Sequence, residues 1–219
     1  MRIDVRKFGG WQNNIWLHRD DVDLVVTVDV GPRIIHYSVN GAPSPLAIFD
    51  AQAGGSGEDR FMLRGGHRLW VAPESDGRSY VPDNDAVEWR SLPDGVQVTG
   101  AVEPTGLQKR LIVRLLDGGV AHLRHQLVNR SNRVAVCSPW AISVVRLGGV
   151  IVVPLTGRDR EANRFVPNQR WSFWPYADPA DPRIDASESS LRLRAEPGED
   201  GPFKIGIELS PGWVGYLID

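Results

Sequence analysis

Short runs of β-branched or alternating residues, each closed by Gly, Pro, Asn or Asp, recur along this chain and leave almost no room for helices. Residues 24–30 (LVVTVDV) stop at Gly31-Pro32, and residues 33–39 (RIIHYSV) stop at Asn40-Gly41, a pair suited to a tight turn. These two runs predict an N-terminal hairpin or meander. Residues 96–102, 107–116 and 120–128 follow, and Asp117-Gly118-Gly119 between the last two predicts a second hairpin. Further strands are expected over residues 134–145, 150–154, 190–195 and 203–209, about ten or more in all.

The fold class is therefore all-β and antiparallel. A chain of 219 residues suits one large core, because sandwiches of roughly 200–250 residues fold as single domains, and we expect a single domain over residues 1–219. Two stretches read as long loops over the scaffold: residues 50–59, rich in Gly, and residues 158–185, which carry Trp171, Trp174 and Tyr176 among prolines and charges. Residues 213–219 (WVGYLID) have strand character and end without a turn or a polar tail, the pattern expected of a C-terminally truncated frame.

Charge and cysteine usage narrow the partners. A formal net charge of −2 and a pI near 6.2 supply no basic field for nucleic acid or an anionic membrane, so a neutral small molecule is the expected partner. Cys137 is the single cysteine, which excludes an intrachain disulfide and a multi-cysteine metal centre. Residues 1–7 lack the apolar run of a signal peptide, and the apolar stretch near residues 147–155 is too short to span a bilayer. The expectation is a cytoplasmic protein without metal or cofactor.

The densest group of chemistry-bearing residues is residues 63–74 (LRGGHRLWVAPE), where Arg64, His67, Arg68, Trp70 and Glu74 surround a Gly pair. Gly65-Gly66 permits a bend or a close backbone approach. A Trp face can stack on the C–H face of a sugar ring while Arg and Glu hydrogen-bond its hydroxyls. His67 and Glu74 are the catalytic candidates. If the run after Gly66 is extended, His67, Leu69 and Val71 share one side, and Arg68, Trp70 and Ala72 the other. The same residues also suit a purely structural arrangement, with Trp70 in the core, Arg68 and Glu74 as a surface pair and His67 as a satisfied buried histidine.

Elsewhere the signals are weaker. His122 and His125 are three apart on an expected strand and point to opposite faces, which disfavours a shared metal. His36 suits a core position, and His18 a solvated one beside Arg19 and Asp20. Asp83, Asn84, Asp85 and Glu88 form an acidic stretch that reads as an ordinary turn or a polyol contact, the turn being preferred. Neither a GxSxG elbow nor a Gly-rich phosphate loop is present.

Residues 11–14, 24–33 (LVVTVDVGPR) and 64–74 (RGGHRLWVAPE) together resemble the galactose-mutarotase-like (aldose 1-epimerase-like) superfamily, in its uncharacterised bacterial branch. An Asn-Arg-Ser turn at Asn129 followed by Pro139-Trp140-Ala141 is similar to that branch as well, and the resemblance covers nearly the whole chain. It implies a β-supersandwich whose concave face binds a sugar, and an isomerase that uses a His acid and a Glu base. Residues 138–143 (SPWAIS) hold no His where the resemblance places the acid, and the base Glu belongs to a C-terminal region that this chain is not expected to reach. Arg64 resembles a substrate-binding Arg of the hexose-6-phosphate epimerase branch. His67, Arg68 and Trp70 are implied as cleft residues, and Trp140 as a stacking face or, equally, a core Trp. The leading expectation is carbohydrate binding, with or without epimerisation. A non-enzymatic interaction domain and a polysaccharide lyase or hydrolase accessory domain, for which Tyr80 is the nearby base candidate, are the alternatives.

Overall fold

A computed structural model describes residues 1–155, 165, 167, 169–196, 201–209 and 212–218. Among the described residues 50% are strand and 5% helix, and the strand pairs are antiparallel, which settles the all-β class. It forms two compact units, Met1–Val145 and Arg146–Asp219.

The first unit contains β1 (Arg2–Phe8), β2 (Trp11–Arg19), β3 (Val22–Thr27), β4 (Arg33–Val39), β5 (His67–Ala72), β6 (Glu88–Leu92), β7 (Gly95–Val102), β8 (Leu107–Leu116), β9 (Val120–Asn129) and β10 (Ser138–Ser143). They make a six-stranded sheet ordered β1-β2-β3-β4-β5-β10 and a four-stranded meander β6-β7-β8-β9. Ile15, Leu17, Leu24, Val26 and Ile34 of the first sheet share a core with Val96, Val98, Leu111, Val113 and Leu115 of the second. In β8 the alternation is strict: Leu107, Lys109, Leu111, Val113 and Leu115 are buried, and the inward Lys109 ammonium is neutralised by Glu103 at 2.7 Å.

The opposite face of the six-stranded sheet is buried too. There Trp11, Val25, Val30 and Ile35 form a second core with Phe8, Trp16 and Ile48. Burial on both faces explains why residues 24–26 and 34–35 read as continuous apolar runs rather than as an alternating pattern.

The second unit contains β11 (Val150–Pro154), β12 (Trp171–Phe173), β13 (Ile184–Ala186), β14 (Ser190–Arg194), β15 (Ile205–Ile207) and β16 (Gly215–Leu217). They pair as a sheet β13-β14-β11-β16 and a ribbon β12-β15. A small core gathers Val153, Leu155 and Leu191 with Trp171, Ile184 and Ile205 around them. Trp171 of the expected loop 158–185 is thus a core residue on a strand. Part of that loop lies outside the described residues.

Several sequence expectations change in detail. The first expected hairpin forms between β3 and β4, with Gly31-Pro32 in its connection and Asn40-Gly41 at left-handed φ values of 54° and 70° ending its second strand, but β3 stops at Thr27 rather than Val30. The chain then makes a long excursion before β5. Within residues 134–145, only Ser138–Ser143 are strand, and Val134 and Val136 stand almost fully exposed. The strands β1, β2, β6, β12 and β13 had no run of β-branched residues to announce them.

Candidate functional site

The entry to β5 is dictated by backbone geometry. Arg64, Gly65 and Gly66 take φ values of +57°, +89° and +73°, and a Cβ on Gly65 or Gly66 would collide with the carbonyl oxygen of Ala47 or Ile34. The Gly pair therefore serves close backbone packing between strands, with Gly66 N donating to Ala47 O at 2.7 Å. Arg64 accepts a left-handed conformation that costs about 1 kcal/mol or more, held by its N–H donating to Gln52 Oε1 at 2.8 Å.

Once β5 begins, its side chains alternate between two environments. Arg68 and Trp70 face away from the β6–β9 sheet, where three guanidinium groups are locked in place. Arg33, fully buried, donates to Leu63 O at 2.8 Å and Gly65 O at 2.5 Å and pairs with Asp83 at 3.1 Å. Arg68 pairs with the same carboxylate at 3.2 Å. Arg64, also fully buried, donates to Gln52 O at 2.9 Å and to Asn84 Oδ1 at 3.1 Å, and pairs with Glu58. Asn84 closes the network by donating to Glu58 O and Arg60 O at 2.8 and 2.7 Å. Burial holds the Arg33 guanidinium below its ordinary range and brings Arg68 down to about 10, Asp83 acting in opposition in both cases. Asp83 is thus the hub of a buried ionic lock.

An aromatic layer continues this face. The Arg68 guanidinium lies 4.7 Å from the Phe61 ring centre and 4.8 Å from that of Trp70. Trp70 meets Phe61, Tyr80 and Trp140 edge-on at 5.6, 5.1 and 5.4 Å, and Trp140 is its direct cross-strand partner on β10. The Tyr80 hydroxyl donates to Glu74 at the end of the strand. The structure therefore brings Arg68, Trp70 and Trp140 together as a packed layer, joins Arg64 to it through Asn84 and the Asp83 loop, and sets Glu74 at its rim.

His67 is on the other face. Its cross-strand partner is Ser143 of β10, and its Nδ1 lies 2.7 Å from Ser143 Oγ. Its Nε2 lies 3.0 Å from Nε2 of His125 on β9, so the group links both sheets of the first unit. Burial, and then His125, lowers the His67 pKa to about 4, and burial lowers that of His125. Both imidazoles are neutral at pH 7, and the pair shares one N–H between facing nitrogens, which leaves His67 Nδ1 to Ser143 and His125 Nδ1 buried with no partner among the described residues. Ser143 is exposed and His67 and His125 are half-buried, so the chain of hydrogen bonds opens to solvent at the serine.

The other candidates resolve individually. His122 is exposed on the far side of β9 from His125, as alternation requires. His18 is tied to Asp23 at 2.7 Å rather than solvated beside Arg19 and Asp20, because Asp23 is its cross-strand partner. His36 lies 5.1 Å from the Phe8 ring in the outer core. Asp85 and Glu88 are exposed. Among the described residues no group of three or more His, Cys, Asp or Glu could hold a metal ion, and no helix is long and apolar enough to cross a membrane.

Sequence reasoning missed Ser143 and the inward pairing of His125 with His67. The period-two alternation of β5 and β9 contained half of that signal, but sheet-to-sheet register was needed for the rest. No protein-family model, curated protein or solved structure matches the chain.

Proposed function

We propose that this chain is a carbohydrate-binding, galactose-mutarotase-like protein of the β-supersandwich kind, acting in the cytoplasm as an aldose 1-epimerase-type isomerase with relocated catalytic groups. The observation that carries the reading is the imidazole pair His67–His125 joined to Ser143. Residues 138–143 lack the His that the resemblance calls for, yet Ser143 of that strand has an imidazole 2.7 Å from its hydroxyl, supplied by β5.

Interconversion of anomers requires loss of the O1 proton as the C1–O5 bond breaks, and protonation of O5. Rotation and reclosure reverse these steps. The pair reaches a ligand through the exposed Ser143 hydroxyl: its oxygen takes the O1 proton as its own proton passes to His67 Nδ1, and it hands a proton to O5 as His67 returns one, so that O1 loses and O5 gains a single proton. A neutral aldose suits the site, because no carboxylate or guanidinium takes part in these hydrogen bonds. Glu74 and Trp140 lie on or beside the other face and are left out of the chemistry.

The test is anomer exchange of α-glucose and α-galactose followed by polarimetry. Acceleration by the protein, lost in folded His67→Ala and His125→Ala variants, is the expected result. Absence of both acceleration and calorimetric sugar binding overturns the reading. Binding without acceleration leaves a carbohydrate-binding module and removes the isomerase.

A further inference from the structure

We propose that a cavity at the far end of β5, separate from the histidine pair, binds a small metabolite bearing phosphate or carboxylate groups. The cavity has a volume of about 530 Å³ and is walled by Ser75, Gly77, Arg78, residues 104–107 and residues 131–137 of the first unit. That size falls within the roughly 300–1,000 Å³ range of small-molecule sites. Its charged side chains are Arg78 and Arg133, and no Asp or Glu lines it. Of the carboxylates next to the wall in sequence, Glu103 is paired with Lys109 at 2.7 Å and Glu74 accepts from the Tyr80 hydroxyl, while Asp76 is exposed and does not line the cavity. Two guanidinium groups with no lining carboxylate favour an oxyanion, which each can grip through two parallel N–H donors.

Two turns of the wall are fixed by hydrogen bonds, while Val134 and Val136 beside them stand almost fully exposed. Asn129 pins the turn beside the cavity: its Oδ1 accepts from Ser131 N at 2.9 Å and Ser131 Oγ at 2.8 Å, and its Nδ2 donates to Arg133 O at 2.7 Å. Arg130 N donates to Gly106 O at 2.8 Å, tying that turn to the 104–107 turn. Gly106 has φ +80°, and a Cβ there would sit 2.6 Å from Ser131 Cβ, so the two turns meet at a distance that only glycine permits. Arg78 Nη1 reaches Val136 O at 3.5 Å across the cavity. The base of Arg133 is held in this way while its side chain remains exposed. Thr105, Ser131 and Asn132 add neutral polar groups suited to the rest of such a ligand.

The experiment is calorimetric titration of the full chain with inorganic phosphate and, separately, with citrate, at constant ionic strength against chloride. Saturable binding of either anion is expected, weakened about tenfold or more in Arg78→Gln and in Arg133→Gln, and unchanged in His67→Ala. Binding of phosphate alone identifies a phosphomonoester, and of citrate alone a polycarboxylate. Neither anion binding above the chloride control overturns the proposal, as does binding that survives both substitutions. Arg133 is exposed, so its variant keeps the test valid if Arg78→Gln fails to fold. The His67→Ala arm separates this site from the proposed sugar site, because each can fail while the other stands.

Discussion

The two faces of β5 contrast sharply although their residues are neighbours in sequence. On one face Arg68 and Trp70 are buried under loops, with ionic and aromatic partners that hold the scaffold. On the other, His67 joins a chain of hydrogen bonds that ends at an exposed serine hydroxyl. Charge density alone therefore misleads about function here. The guanidinium groups are committed to Asp83 and Glu58, whereas the uncharged imidazole pair is joined to solvent through the exposed Ser143 hydroxyl.

Breaking the ionic face has the largest expected effect. Asp83→Ala leaves Arg33 and Arg68 buried without their shared carboxylate and should destabilise the protein by about 3–5 kcal/mol, read as a lower midpoint in urea. Comparable loss from Ser143→Ala would erase the contrast.

The histidine face should reveal itself through pH. His67 titrates near 4 in the folded protein against an ordinary 6.5, so the unfolded chain binds more protons between those values. Its contribution is complete above about 6.5, and stability falls as the pH drops towards 4, by up to about 3 kcal/mol. Denaturant midpoints measured across this window should decline in the wild type and flatten in His67→Gln. An equal slope in both proteins would remove His67 as the cause.

Ser143→Ala should be the mildest in stability, costing about 1 kcal/mol or less at an exposed hydrogen bond, while reducing anomer exchange. A change in melting temperature larger than that of Asp83→Ala would contradict its assignment to the chemical face.

Much of the scaffold was legible in the sequence. The boundaries of β8 and β11 coincide with the predicted runs 107–116 and 150–154, because alternation closed by Gly or Pro is a local signal. The opposition of His67 to Trp70 was legible for the same reason. Strands such as β1 and β6 (RIDVRKF and EWRSL) are charged edge strands of their sheets, and their apolar content is too low to register. Asp83 read as part of a turn, since nothing local reveals that Arg33 and Arg68, both distant in sequence, converge on it. The pairing of His67 with His125 depends on how two sheets stack, which no periodicity within one strand encodes.

The most direct test of the division between the faces is the anomer exchange rate of glucose, measured by magnetisation-transfer NMR, for folded His125→Ala and Tyr80→Phe proteins. His125 belongs to the imidazole pair, and the Tyr80 hydroxyl donates to Glu74 beside the aromatic layer. The account predicts exchange at the uncatalysed rate with His125→Ala and at the wild-type rate with Tyr80→Phe. Wild-type exchange with His125→Ala and its loss with Tyr80→Phe would place the chemistry on the aromatic face and contradict the account.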